Sequence, residues 1–146
     1  LTASLNCEAK EAGSFLASIA RDHQNIERST AWILGGETIV HLHGSGKGGR
    51  NQELVLSAAE GIRDCRDTCI FSVGSDGTDG PTDAAGGIAD EHTCAKLKEQ
   101  GILIPQVLAD NDSYHALKKA GGLVITGPTG TNVNDLTVLL IRRQAS

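Results

Sequence analysis

The stretch TIVHLHGSGKGGRNQELVLSAAEGI, residues 38–62, decides the class of fold. It opens on the apolar run Thr38–Leu42 and passes through the polar, glycine-rich segment Gly44–Glu53. It then places Leu54, Val55, Ala58, Ala59 and Ile62 at helical spacing, with Asn51 suited to the N-cap. A β-type run that leads through a loop into an amphipathic helix is a building unit of layered α/β folds.

The same alternation continues on both sides. Ala9, Ala12, Leu16 and Ile19 predict a helix over 8–21, weakened modestly by Gly13. Ala31–Leu34 predicts a strand, separated from Thr38–Leu42 by a turn or bulge at Gly35-Gly36-Glu37. Downstream, Thr68–Val73 and Ala84–Ala89 predict strands, and a helix near Glu91–Gln100 stops at Gly101. A helix capped by Asp110 or Asn111 runs through Lys119 to Gly121-Gly122, before strands at Leu123–Thr126 and Leu136–Arg142. The expectation is an α/β protein: a layered α/β/α domain with a mixed, largely parallel sheet. Residues 1–30 form a leading helix and connector, and 31–143 the main body.

Composition excludes several classes. The 146 residues suit one domain, and a net charge of −5 disfavours nucleic acid as a partner. Aromatic content of 3% leaves few surfaces on which bases stack. No apolar run approaches a membrane span. Cys7, Cys65, Cys69 and Cys94 lack metal-type spacing and read as reduced thiols of a cytoplasmic protein. His41 and His43 would share one face of a strand at 38–43, without an evident third ligand. The chain contains no methionine, so the expectation is the trailing part of a longer protein.

Glycine is the compositional outlier, with 18 residues clustered in three polar tracts that follow apolar runs. The first, 44–53, carries Lys47 and Arg50 and contains a formal G-x-G-x-x-G (Gly44, Gly46, Gly49). A nicotinamide dinucleotide site would also need an acid at the end of the next strand, and Asp76 lies too far along. Backbone N–H groups at a helix N-terminus, with two cations, instead make an anion site; the alternative is a solvated turn. The second tract, 74–83, brings Asp76, Asp79 and Asp83 close together, as Mg²⁺ ligands, a general base or turn residues. The third, 127–135, offers Thr129, Thr131, Asn132, Asn134 and Asp135, which also suit a self-bonded turn.

Five segments in series resemble the C-terminal, MOFRL-type domain of the type II glycerate kinase family, some members of which carry the name hydroxypyruvate reductase. They are Gly35–Thr38, Gly46–Leu54, Asp76–Gly86, Asn111–Ser113 and Thr126–Asp135. The resemblance implies an ATP- and Mg²⁺-dependent phosphoryl transfer to glycerate, in a cleft shared with an N-terminal domain that this sequence lacks. An NAD(P)-dependent reductase and a non-catalytic ligand-binding module remain as alternatives. The implied catalytic residues are Lys47, Arg50, Asp76 and Asp79, and the implied metal ligands Asp76, Asp79 and Asp83. Gly46, Gly48, Gly49, Asn51, Gln52, Thr131, Asn132, Asn134 and Asp135 would bind substrate or phosphate. Partners would be the small hydroxy acid and the N-terminal domain, with homodimerisation left open.

Overall fold

The computed structural model describes residues 1–143. In chain order the elements are β1 (Thr2–Leu5), α1 (Ala9–Asp22), β2 (Thr30–Gly36), α2 (Arg50–Ile62) and β3 (Thr68–Gly74). They continue with β4 (Gly86–Asp90), α3 (Thr93–Glu99), α4 (Ile104–Ala109), α5 (Ser113–Ala120), β5 (Leu123–Val124) and β6 (Asp135–Ile141). The six strands form one sheet in the order β1-β2-β6-β3-β4-β5.

The α/β class and the mixed sheet are as expected, but two details differ. Only β1 and β2 pair in parallel; the β2–β6, β3–β6, β3–β4 and β4–β5 pairs are antiparallel, so the sheet is not largely parallel. The cause is β6, which returns from the far edge and inserts between the mutually parallel β2 and β3. Nor, among the described residues, are there helices on both faces. Every helix contributes to one core, with Leu16, Leu54, Ile62, Leu97, Ile104 and Leu117 packed over Leu34, Ile70, Ala89 and Leu139. Alternate residues point the other way, in the cross-strand row Ile33–Val138–Phe71–Ile88. Ile33, Ile88, Leu136 and Leu140 are exposed on that face. Among the described residues the domain is therefore two-layered, with one bare apolar sheet face.

Local departures have local reasons. Residues 38–43 form no strand beyond an isolated bridge between Ile39 and Glu8, so His41 and His43 share no strand face. Helix α4 begins with Pro105 in its first turn and was hidden in a short apolar run without helical period. Helix α1 buries Ala9, Ala12, Gly13, Leu16, Ala17 and Ala20, the three- and four-residue spacing of one face. That face is small because α2 lies close against it: a Cβ on Gly13 would fall on the Leu54 carbonyl oxygen, and one on Gly61 would crowd Ala17.

The N-terminus of α2 is fixed by a carboxylate from another loop. Asp79 is 1% exposed. It accepts hydrogen bonds from the backbone N–H of Asn51 (3.1 Å) and Gln52 (2.9 Å), and from their side-chain amides (3.1 and 2.9 Å). It thus performs from a distance the capping that Gly49, at the N-cap, cannot. Asn51 passes the network inward, accepting from the Ser72 hydroxyl at 2.6 Å.

Two outcomes follow from this packing. Gly13→Ala should lose about 1–3 kcal/mol by forcing α1 and α2 apart, read as a fall in the urea unfolding midpoint. Burial pushes the Asp79 carboxyl above its ordinary 3.8, against the pull of its hydrogen bonds. The folded state therefore holds that proton more tightly, so the contribution of Asp79 to stability is full below pH 3.8 and declines as pH rises through the folded value. Asp79→Asn, which cannot titrate, should remove that decline and cost about 1–3 kcal/mol at neutral pH through lost acceptors. Urea unfolding as a function of pH measures both effects.

Candidate functional site

The end of the sheet where β2 and β3 finish and β6 starts gathers all three polar tracts. The register sets Gly36, Asp135 and Gly74 side by side there. The second and third tracts are stitched together: Ser75 N–H donates to the Asn134 carbonyl (3.1 Å), Val133 N–H to the Ser75 hydroxyl (2.7 Å), and Thr129 N–H to the Asp76 carbonyl (3.2 Å). The first tract joins them through Arg50. Its Nε donates to Asp135 Oδ2 at 2.6 Å and its Nη2 to Oδ1 at 2.9 Å, a two-pronged contact. Its Nη1 lies 3.7 Å from Glu37, which projects beyond β2. Asp135, hydrogen-bonded by the guanidinium, raises the already high pKa of Arg50 further, so the cation is permanent.

Beside this pair, the backbone N–H groups of Gly48, Gly49 and Arg50 donate no hydrogen bond among the described residues. Three successive amides at the N-terminus of a 13-residue helix, free among the described residues, are the groups of which an anion site is made. Asp76 stands at the same rim. Hydrogen bonds from the Thr78 amide (3.0 Å) and hydroxyl (3.1 Å) to Oδ1 hold its carboxyl below the usual range, with the Arg50 charge adding to the effect.

Other expected site residues are placed differently. Asp79 is spent on the α2 N-terminus and does not face solvent. Asp83 accepts from the Tyr114 hydroxyl at 2.7 Å. Asp76, Asp79 and Asp83 therefore do not converge, and among the described residues no group of three His, Cys, Asp or Glu is arranged to hold a metal between them. Asn51 and Gln52 are buried in the Asp79 network. Gly46 uses its N–H on the Asp110 carbonyl (2.8 Å), which removes it from the free amides. Lys47 lies over the Tyr114 ring, 4.5 Å from its centroid. Thr131, Asn132 and Asn134 are exposed in the third tract, where Asn132 accepts from the Asn134 amide at 3.2 Å and Asn134 takes a φ of 69°.

The glycines of the first tract answer to packing. A Cβ on Gly44 or Gly46 would collide with Asp110 or Asp112, and one on Gly48 with Ser113. In the G-x-G-x-x-G spacing, Gly44 and Gly46 thus serve contact with the 110–113 turn, while a Cβ on Gly49 would collide with Asp79. Asn111, expected as a helix cap, leaves that role to Asp112 and adopts a φ of 56°. Its Oδ1 accepts from the His43 (2.7 Å) and Gly44 (3.0 Å) amides, and its Nδ2 donates to Glu53 at 3.1 Å. Glu53, read only as a loop residue, is 3% exposed.

Comparison with known proteins finds named relatives. A D-glycerate 2-kinase of Thermotoga maritima is 55% identical over 97% of this chain, and a glycerate 2-kinase of Pyrococcus horikoshii 48% identical over 97%. The chain spans about a third of their length, 35% and 33% respectively. The crystal structure of a Thermotoga maritima glycerate kinase superposes with a TM-score of 0.93 at 55% identity, covering 97% of this chain and 35% of that one. Residues 30–135 match the model of the MOFRL family. The chain belongs to the MOFRL family.

Proposed function

We propose that this chain is the C-terminal part of a glycerate 2-kinase, which moves the γ-phosphate of ATP to glycerate in a cleft shared with an N-terminal domain, in the cytoplasm. One observation carries the reading: the free amides of Gly48–Arg50, the Arg50 guanidinium and the Asp76 carboxylate share one rim. Phosphoryl transfer asks a protein mainly for positioning and charge neutralisation, and those are the groups that supply both. Relatives at 55% and 48% identity bear the kinase name.

In this reading the amides and the α2 dipole hold phosphate oxygens. Arg50 offsets charge that grows during transfer, while Asp135 fixes its orientation and Glu37 faces the remaining nitrogen. Lys47 adds positive charge beside these amides. Asp76 has one oxygen free of hydrogen bonds among the described residues, and its lowered pKa makes it a poor base but a good cation ligand. A single carboxylate beside phosphate oxygens and waters is a donor set that Mg²⁺ accepts. When bound, that ion would screen the phosphate charges. Asp79 serves as a positioning residue through α2. Asn134 and Asp135 shape the wall of the third tract.

Steady-state assays of the full-length protein with ATP, Mg²⁺ and glycerate test the assignment. Arg50→Ala should lower kcat/KM by about 10²–10³-fold. Arg50→Lys should not restore it, because an ammonium cannot reproduce the fork held by Asp135. Activity within a few-fold of wild type in Arg50→Ala would remove Arg50 from the mechanism. Asp76→Asn should raise the Mg²⁺ concentration needed for half-maximal rate, and an unchanged requirement would place the metal elsewhere.

A further inference from the structure

Next to the leading amides of α2 lies a cavity of about 440 Å³, walled by Ile39, Val40, Leu42 and Pro81. Gly48, Gly49 and Arg50 stand at one side of it and Glu53 lines it from within α2. Glu53 is unusual: it is 3% exposed, and it forms no ion pair among the described residues. Asn111 donates to its Oε2, while its Oε1 accepts no hydrogen bond from the described residues. Asn111 is itself held on three backbone groups of the 41–44 segment, so the acid is fixed in place. Burial pushes the Glu53 carboxyl above its usual range. The second oxygen of Glu53 is not among the sealed, unpartnered polar atoms of the described residues, so on the cavity wall it is an acceptor within reach of a ligand donor.

We infer that this cavity receives the nucleoside part of the phosphate donor, with the Glu53 carboxyl taking hydrogen bonds from its sugar hydroxyls or base amino group. The inference rests on the kinase reading and names the subsite that reading left unassigned. Three properties favour a nucleoside over the hydroxy acid. At the Glu53 end of the cavity a carboxylate such as glycerate would be repelled by the acid, whereas a nucleoside is neutral and carries donors. The aliphatic and proline walls match the flat, largely apolar face of a base and have no counterpart on a small polyhydroxy anion. Glu53 follows Arg50 by three residues, so its side chain lies about one helical turn, ~5 Å, from the free amides. Phosphates attached to a nucleoside in the cavity would extend towards those amides.

The test is calorimetric titration of the full-length protein with adenosine, alone and in saturating glycerate, together with steady-state kinetics. Adenosine should bind saturably, and glycerate should not displace it. Glu53→Gln should raise both the adenosine Kd and the KM for ATP by about tenfold and leave the KM for glycerate unchanged. Where Glu53→Gln fails to fold, Leu42→Asp, at a position 79% exposed on the cavity wall, is read in its place with the same expectation. Absent adenosine binding, displacement by glycerate, or a change confined to the glycerate KM would overturn the inference. Those results would leave the kinase reading standing, because that reading is judged by Arg50→Ala turnover.

Discussion

The carboxylate of Asp79 on the first turn of α2 is the constraint from which the rest of the rim follows. A helix that starts at Gly49-Arg50 has no side chain of its own to satisfy its leading amides. By supplying acceptors to Asn51 and Gln52 alone, Asp79 orders the helix start yet leaves the amides of Gly48, Gly49 and Arg50 unclaimed among the described residues. The same bonds tether the 75–85 loop to α2 and so bring Asp76 beside Arg50. Asp135 completes the frame from β6, joining the first residue of α2 to the sheet end through its two bonds with the Arg50 guanidinium. Both carboxylates act through geometry, one by ordering a backbone and one by aiming a cation.

Much of this was readable in the sequence, for identifiable reasons. Ala12–Leu16–Ile19 periodicity and the β-rich Thr68–Val73 run gave α1 and β3 nearly to the residue, since each has one buried face and one neighbour type. Convergence of the second and third tracts was legible because each flanks a strand, whereas the first, preceded by no strand, is brought to them by the Arg50–Asp135 and Asp79–α2 bonds. The parallel bias of the expectation failed at β6, whose neighbours are set by a chain reversal that no local pattern encodes. Strand β1 escaped because Thr2–Leu5 is short and mostly exposed.

At the site, residue types were informative and residue roles were not. Three aspartates within one loop suggested a shared metal, but Asp79 is turned inward by helix amides and Asp83 outward by the Tyr114 hydroxyl. Sequence density of charge does not report which groups a fold has already paired. Conversely, Glu53 looked like the polar end of a loop, although it lies four residues inside a helix and below its surface. Asn111 carried the one available hint: asparagine tolerates a left-handed backbone, and its side chain then reaches across to fix what lies opposite.

The uncovered side of the sheet bears on how the molecule behaves in a test tube. Ile33, Ile88, Leu136 and Leu140 line up on a plane with no helix above them among the described residues, with Phe71 and Val138 between. Water wets such a plane poorly, and contiguous nonpolar area of that kind favours self-adhesion. Produced in isolation, the chain would present this nonpolar area to other copies of itself. Lysine or glutamate at Ile33 and Leu140 offers a handle for keeping the piece dispersed, since neither position contributes to the helical core.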